Sequence, residues 1–327
     1  MKVLTATKAL EVFDFLEDLE DIEQSEALFT GQIYDGLPEV QFVIVDFEDV
    51  VEHPYDVEML RRVFAEKEVL FASSEEFLSQ PDHWIEEARR VRGQLTKLPK
   101  KRVIAFTSYA GGTGKTTLSL DTALHFARRT AMPVLALEFT YGVSALAALT
   151  GQEMAHLFDL ATQLEVEAAR WKGVTLVPMD YESCQDLPVQ HIGRYLQEEI
   201  NRHVLTVVDV TWPHALIGAV QREVDEWFAV ATPRVDAVGN AKKLRDELGG
   251  NRASIIVNMK RGVVDSFALS NVESTLDLPE VRRPDQYDGK LGKQVLSLIY
   301  GPKTWRKYEK GFIDRVRDRL APGRAGD

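Results

Sequence analysis

Lys115 is preceded by Gly111, Gly112 and Gly114 and followed directly by Thr116 and Thr117. A lysine and a hydroxyl side by side behind three glycines suit phosphate chemistry. Glycines let backbone N–H groups converge on an anion, and a helix that starts here adds a partial positive charge. In such a loop the Lys115 ammonium reaches the terminal phosphates and the Thr116 hydroxyl takes a magnesium ion. The run Gly111, Gly112, Thr113, Gly114, Lys115, Thr116 and Thr117 forms the cradle. The first glycine usual in this loop is replaced by Tyr109. Two other readings are a tight strand-to-helix turn and the opening of a dinucleotide-binding turn. The first gives the Lys-Thr pair no role, and the second needs a third glycine where Thr117 stands.

A loop of this kind has to lie between a strand and a helix. Val103-Ile104-Ala105-Phe106 precedes it as an apolar run, and Leu118 to Arg129 follows with helical spacing. Apolar runs recur at 134–137, 174–177, 205–208, 227–231 and 254–257, most of them separated by helical stretches. Runs that are apolar on both faces predict parallel strands covered on both sides. The expected fold is a doubly wound, mainly parallel α/β sheet that binds its ligand beyond the carboxyl ends of the strands. Asp209 ends the run 205–208. A carboxylate there either holds a water of a magnesium shell or caps the strand. The phosphate loop upstream favours the magnesium role.

With 327 residues the chain is long enough for two domains with a sizeable core. No apolar run approaches the ~20 residues of a membrane span, and the apolar stretch after Met1 is too short for a signal peptide. The single cysteine, Cys184, leaves no internal disulfide and reads as a small buried side chain. A cytoplasmic protein is expected. The net charge of −12 is uneven, since residues 1–95 carry 23 acidic and 8 basic side chains against 28 and 31 in the remainder. Two units with different electrostatic roles are predicted, the acidic one suited to a basic partner rather than to nucleic acid. The polar, proline-broken stretch 96–101 reads as a linker between domain 1–95 and domain 102–327. Within 1–95, strand-like runs at 2–6, 42–45 and 69–71 alternate with helical patterns at 10–19, 57–64 and 84–91. This predicts a small α/β layer with a mainly parallel sheet. Asp46 follows the second run, as in the receiver domains of two-component systems. Thr5-Ala6-Thr7-Lys8 lacks the acidic pair a working receiver needs for magnesium. A degenerate, receiver-like interaction domain is expected, with Asp46 ending a strand rather than accepting phosphate.

The loop at 111–117, the segment 138–142, Asp209 and Ile256-Val257-Asn258 resemble, in order and spacing, the MinD/ParA class of P-loop ATPases over about 100–325. The resemblance implies ATP or ADP with Mg2+, a homodimer, and Asn258 at the adenine edge. Thr232-Pro233-Arg234 is similar to the family's segment after the next-to-last strand. Two positions depart from the pattern. Ala110 stands where the family has a lysine that crosses the dimer to the partner's nucleotide. Thr140 stands where a second aspartate orients the attacking water, the segment reading Glu138-Phe139-Thr140. Glu138 is left beside Lys115 as a candidate catalytic residue. Losing a cation and a carboxylate each costs ~10²–10⁴-fold at such sites, so ATP binding with slow or absent hydrolysis is expected. The order of domains resembles the TadZ/CpaE group, which localises the machinery of tight-adherence (Flp) type IV pili, often at a cell pole. That implies a nucleotide-responsive positioning factor whose partners in a pilus or secretion assembly dock through 1–95. The rival readings are a DNA-partitioning ATPase of the ParA kind and a structural adapter that needs no nucleotide.

Trp305, Tyr308, Phe312, Val316 and Leu320 share one helix face, and 290–324 carries 10 basic against 3 acidic residues. A last helix packed on the sheet with a solvated basic back is favoured over one that binds DNA or a membrane surface. Trp171 and Trp212 are expected to pack near strand ends. His191, His203 and His214 show no zinc spacing.

Overall fold

The computed structural model describes residues 1–17, 19, 22–51, 54–66, 69–90, 99–130, 132–163, 165–261, 274–281 and 287–306. The chain divides into two compact units, Met1–Lys101 with Glu198–Val204, and Arg102–Gln197 with Leu205–Asp327.

In the first unit, strands β1 (Lys2–Ala6), β2 (Glu23–Glu26), β3 (Phe42–Val45) and β4 (Phe71–Ala72) form a parallel sheet in the order β2-β1-β3-β4. Its helices are α1 (Leu10–Glu17), α2 (Thr30–Gly36), α3 (Phe47–Val50), α4 (Pro54–Glu66), α5 (Ser74–Ser79) and α6 (Pro81–Arg90). Every residue of β3 is buried, as its unbroken apolar run predicts. The edge strand β2, Glu-Gln-Ser-Glu, carries no apolar signal and is held by pairing to β1 alone. Strand β4 begins at Phe71 rather than at Val69. One core cluster gathers Val3, Val12, Phe42, Ile44 and Phe77, with the Trp84 ring stacked 5.8 Å from Phe42. The sheet order reverses between β1 and β3, and Asp46 lies at that crevice. Its carboxylate accepts from the Thr7 hydroxyl and, at 2.9 Å, from the Ser74 N–H. Burial opposes ionisation of Asp46, but the bonds from Ser74 and Thr7 outweigh it and hold the carboxyl below its usual range. Of the stretch 96–101 read as a linker, residues 96–98 lie outside the described residues, as do 91–95 before it.

Among the described residues the second unit has eight strands, β5 (Arg102–Ser108), β6 (Val134–Phe139), β7 (Ala169–Trp171), β8 (Val174–Val177), β9 (Leu205–Thr211), β10 (Glu226–Ala231), β11 (Ala253–Lys260) and β12 (Leu276–Pro279). They run in the order β12-β11-β10-β5-β9-β6-β8-β7, parallel throughout except for the antiparallel edge pair β7–β8. The connecting helices are α7 (Lys115–Thr130), α8 (Ala145–Thr150), α9 (Leu157–Thr162), α10 (Tyr181–Cys184), α11 (Val189–Arg202), α12 (Val235–Glu247) and α13 (Lys290–Tyr300). This is the expected α/β architecture with a mainly parallel sheet. β5 lies at its centre between β9 and β10, so the chain moves to one side of β5 and then to the other. The crevice that this reversal opens lies at the carboxyl end of β5, where the glycine-rich loop begins.

Helix α7 anchors the C-terminal part of the unit. The buried Asp121 carboxylate accepts from the backbone N–H groups of Gly289, Leu291 and Gly292 at 2.9, 3.1 and 2.8 Å, which satisfies the start of α13. The two helices touch closely at Gly292, where a Cβ would lie 2.5 Å from the Asp121 carbonyl oxygen. Trp305 is fully buried against Phe126 and Tyr300. The rest of the basic, aromatic stripe (Tyr308, Phe312, Val316 and Leu320) lies outside the described residues. Cys184 is free and buried, and burial pushes its thiol up to about 11. No helix among the described residues is long and apolar enough to cross a membrane.

Candidate functional site

Strand β5 delivers Ser108 to the carboxyl edge of the sheet, residues 109–114 turn, and α7 starts at Lys115. The turn works because Gly112 and Gly114 take φ of +72° and +81°, which side chains oppose. A Cβ on Gly111 or Gly112 would meet nothing within 4 Å, so the loop is open at both positions. Gly114 differs, because a Cβ there would lie 2.5 Å from the Asn258 amide nitrogen.

Lys115 is buried. Its ammonium donates to the Ser108 hydroxyl at 2.9 Å and to the Ala110 carbonyl at 3.5 Å. Burial lowers its pKa and the Asp209 charge opposes the shift. The Ser108 hydroxyl donates in turn to the Ala110 carbonyl at 2.6 Å and lies 3.2 Å from the Thr113 hydroxyl. Ser108, which the sequence did not mark, thereby braces the base of the loop.

Asp209 does not end its strand as expected. β9 continues to Thr211, and the carboxylate turns from within it toward α7. One oxygen accepts from the Thr116 hydroxyl. The other, Oδ1, is buried with no hydrogen-bond partner. Burial raises this carboxyl, the bond from Thr116 and the charge of Lys115 opposing. A buried, unpartnered carboxylate oxygen beside a threonine hydroxyl and a lysine is costly in itself. It suits a hard cation or the water such a cation carries, so the donor set fits magnesium.

Asn258 also lies inside its strand, because β11 runs on to Lys260. Its amide donates to the Thr113 carbonyl at 2.9 Å, so it braces the glycine loop from β11, two strands away from β5. The next residue, Met259, takes φ of +62°, and the pairing of β11 with β12 shifts register between Val257 and Lys260. Backbone strain of this kind collects at ligand sites.

Glu138 pairs in register with Asp209 but is turned elsewhere. It too lies within its strand, since β6 reaches Phe139. Its carboxylate accepts from the Ser144 hydroxyl at 2.5 Å and from the N–H groups of Ala145 and Leu146 at 2.8 and 3.4 Å. With Ser144, which accepts from Ala147 N–H at 3.1 Å, it caps α8. Burial, with the Asp209 charge adding to it, pushes Glu138 up to about 7 against the bonds from Ser144, Ala145 and Leu146. Both oxygens are engaged on α8, which points the carboxylate at the helix start rather than at the loop.

The segments after β6 and β9 are tied together. The Tyr141 hydroxyl donates to the Pro213 carbonyl at 2.8 Å and accepts from Ala215 N–H at 2.9 Å. His214 packs against the rings of Tyr141, Tyr181 and Phe139. Its Nδ1 accepts from Leu216 N–H at 3.3 Å, so Nε2 carries the proton and faces the Thr140 carbonyl at 3.4 Å. Burial lowers the His214 pKa, the contact to Thr140 opposing. Ala110 is exposed on the loop, and Thr140 lies where these two segments meet.

The structure thus gathers 111–117, Asp209 and Asn258 at the carboxyl ends of β5, β9 and β11. Glu138 stays beside them, committed to α8. Among described residues, no group of three or more His, Cys, Asp or Glu side chains is placed to hold a metal, so a cation here has to share its shell with water or phosphate.

Neither a protein-family model nor a curated protein matches the chain. Similar solved structures are a ParA family ATPase from Chlorobium tepidum (18% identity over 65% of this chain and 98% of that one, TM-score 0.49) and the septum site-determining protein MinD of Pyrococcus horikoshii complexed with Mg-ADP (17% over 68% and 100%, TM-score 0.48). A third is a Borrelia burgdorferi plasmid partition protein bound to AMPPNP (13% over 61% and 98%, TM-score 0.49).

Proposed function

We propose that the second unit binds ATP with magnesium at the loop 111–117 and hydrolyses it slowly or not at all. The observation that carries this reading is the buried Asp209, with one oxygen on Thr116 and the other unpartnered, beside an open glycine cradle. Backbone N–H groups of 111–114 and the start of α7 would take the phosphates, with Lys115 as their cation. Lys115 now rests on Ser108 and Ala110, neutral partners that a phosphate can replace. Thr116 and Asp209 would hold Mg2+, Asp209 through a water. The ion supplies charge neutralisation on the phosphates. Asn258 sets the loop and borders the base.

Three features support weak cleavage. Ala110 brings no cation, Thr140 brings no carboxylate, and Glu138 is spent on α8. Such a site holds a nucleotide and reports it, through a homodimer, to a larger assembly. The sequence resemblance makes that assembly a tight-adherence pilus apparatus, reached through the acidic 1–95 domain. The strand order β2-β1-β3-β4 with Asp46 at the switch point agrees with a receiver-like domain, and the Thr7 and Ser74 bonds to Asp46 agree with one that no longer accepts phosphate.

Titration calorimetry of ATP into the full chain, with and without magnesium, tests the binding. Magnesium-dependent binding that Lys115→Ala abolishes is expected. Absence of binding to the unaltered chain overturns the reading.

A further inference from the structure

Tyr109 occupies the position where this kind of loop usually has a glycine, and its ring has to go somewhere. It turns away from the cradle toward α12. With Trp212 it packs on a core cluster of Ala229, Val238, Leu244, Ile255 and Val257. The Tyr109 hydroxyl donates to the carboxylate of Glu247, the last residue of α12. The Trp212 indole N–H donates to the same oxygen, Oε2, at 3.4 Å. Trp212 is the first residue beyond β9, three past Asp209, and its own N–H donates to the Ser108 carbonyl at 3.2 Å.

One carboxylate oxygen is therefore shared by the two segments that flank the candidate phosphate site. A carboxylate at the end of a helix is opposed by the helix dipole, so Glu247 gains nothing from the dipole of α12. Lys243 lies 3.9 Å from its other oxygen and 5.8 Å from the Tyr109 ring centre, and offsets part of that cost. The bond from Tyr109 to Glu247, helped by burial, pushes the phenol up to about 12, so it stays a donor at neutral pH.

We propose that Glu247 is a positioning residue for the nucleotide site, a latch that fixes the glycine loop against the end of β9 through Tyr109 and Trp212. The proposal rests on the nucleotide reading above. The two held segments are those on which ligand forces fall. Phosphate engages the loop that Tyr109 begins, and the cation engages Asp209 on the strand that Trp212 follows. With both donors on one oxygen, the two segments keep a common spacing, and movement of either reaches α12.

The test is amide hydrogen exchange on the nucleotide-free full chain, followed by ATP titration, for the parent, Glu247→Ala and Glu247→Gln. Removing the shared acceptor is expected to speed exchange at 110–114 and at 211–215 about tenfold, the size of one charge-assisted hydrogen bond, and to weaken Mg-ATP binding similarly. The unfolding midpoint should stay close to that of the parent, as for an exposed side chain. Glu247→Gln keeps an oxygen for both donors and is expected to restore slow exchange and affinity, a rescue that loss of packing alone does not give. Exchange in Glu247→Ala indistinguishable from the parent at both segments overturns the latch. Failure of the parent to bind ATP removes the nucleotide reading alone, because the exchange comparison needs no nucleotide.

Discussion

The hydroxyl of Thr116 donates to one carboxylate oxygen of Asp209 and leaves the other, buried oxygen without a partner. On the proposed reading the pair would supply part of the shell of a magnesium ion. Folding alone gains little from a buried anion so incompletely satisfied.

Neutralising that anion separates the needs of the fold from those of the ligand. Asp209→Asn is expected to stabilise the nucleotide-free chain by about 1–2 kcal/mol, because an amide costs less to bury than an ion. The same substitution should remove the extra thermal stability that magnesium adds in the presence of ATP. Thermal unfolding of both chains, with and without Mg-ATP, checks the two signs together.

The glycines of the loop divide by what surrounds them. Gly111→Ala meets no protein atom, so stability should stay within about 0.5 kcal/mol while nucleotide affinity falls, the methyl group occupying the cradle. Gly114→Ala has to hold φ near +81° and displaces Asn258 from the Thr113 carbonyl. It is expected to cost about 1–2 kcal/mol for the left-handed backbone and to abolish binding. Urea unfolding paired with ATP titration distinguishes the two.

These contrasts also mark what residue type alone reveals. Strands β5, β6, β8, β9, β10 and β11 were legible because strands covered on both faces must be apolar throughout. The edge strands β2, β7 and β12 were not. Glu-Gln-Ser-Glu and Leu-Asp-Leu-Pro owe their conformation to a neighbour's hydrogen bonds, which leave no mark on composition. In the site, the glycine loop was legible because backbone demands restrict residue type. The turning of Glu138 onto α8 was not, because it depends on Ser144 and on the N–H groups of a helix six residues long. Strands β9 and β11 run past Asp209 and Asn258, where the apolar runs stop, and a buried polar residue within a strand looks locally like a terminus.

Helix α13 depends on one side chain of α7. Asp121→Ala leaves the N–H groups of Gly289, Leu291 and Gly292 without an acceptor in a buried place. A loss of about 2–4 kcal/mol is expected, from charge-assisted bonds of roughly 1.5–3 kcal/mol each that water only partly replaces. Chemical denaturation measures it. Gly292→Ala should be comparably harmful, since its methyl group meets α7 backbone.

His214 gives the segments after β6 and β9 a pH dependence. Burial lowers its pKa below 6.5 in the folded chain, so the folded state binds less proton than the unfolded one. Its stabilising contribution is complete above 6.5 and is lost as pH falls through the folded value. Protonation also turns Nδ1 into a donor facing the Leu216 N–H, amid Phe139, Tyr141 and Tyr181 rings and the Thr140 carbonyl. Denaturation of the parent and of His214→Gln between about pH 5 and 8 should show the parent losing more stability on acidification below its unfolded pKa. Parallel curves would remove the assignment.

On the proposed function the site retains ATP with little cleavage. The most direct measurement mixes a slight excess of the protein with ATP and magnesium, quenches over time, and separates ATP from ADP. The nucleotide is expected to be bound and still ATP long after an ordinary ATPase, turning over at about 1 s⁻¹ or faster, has consumed it. Conversion to ADP at that ordinary rate, or nucleotide that never binds, contradicts it.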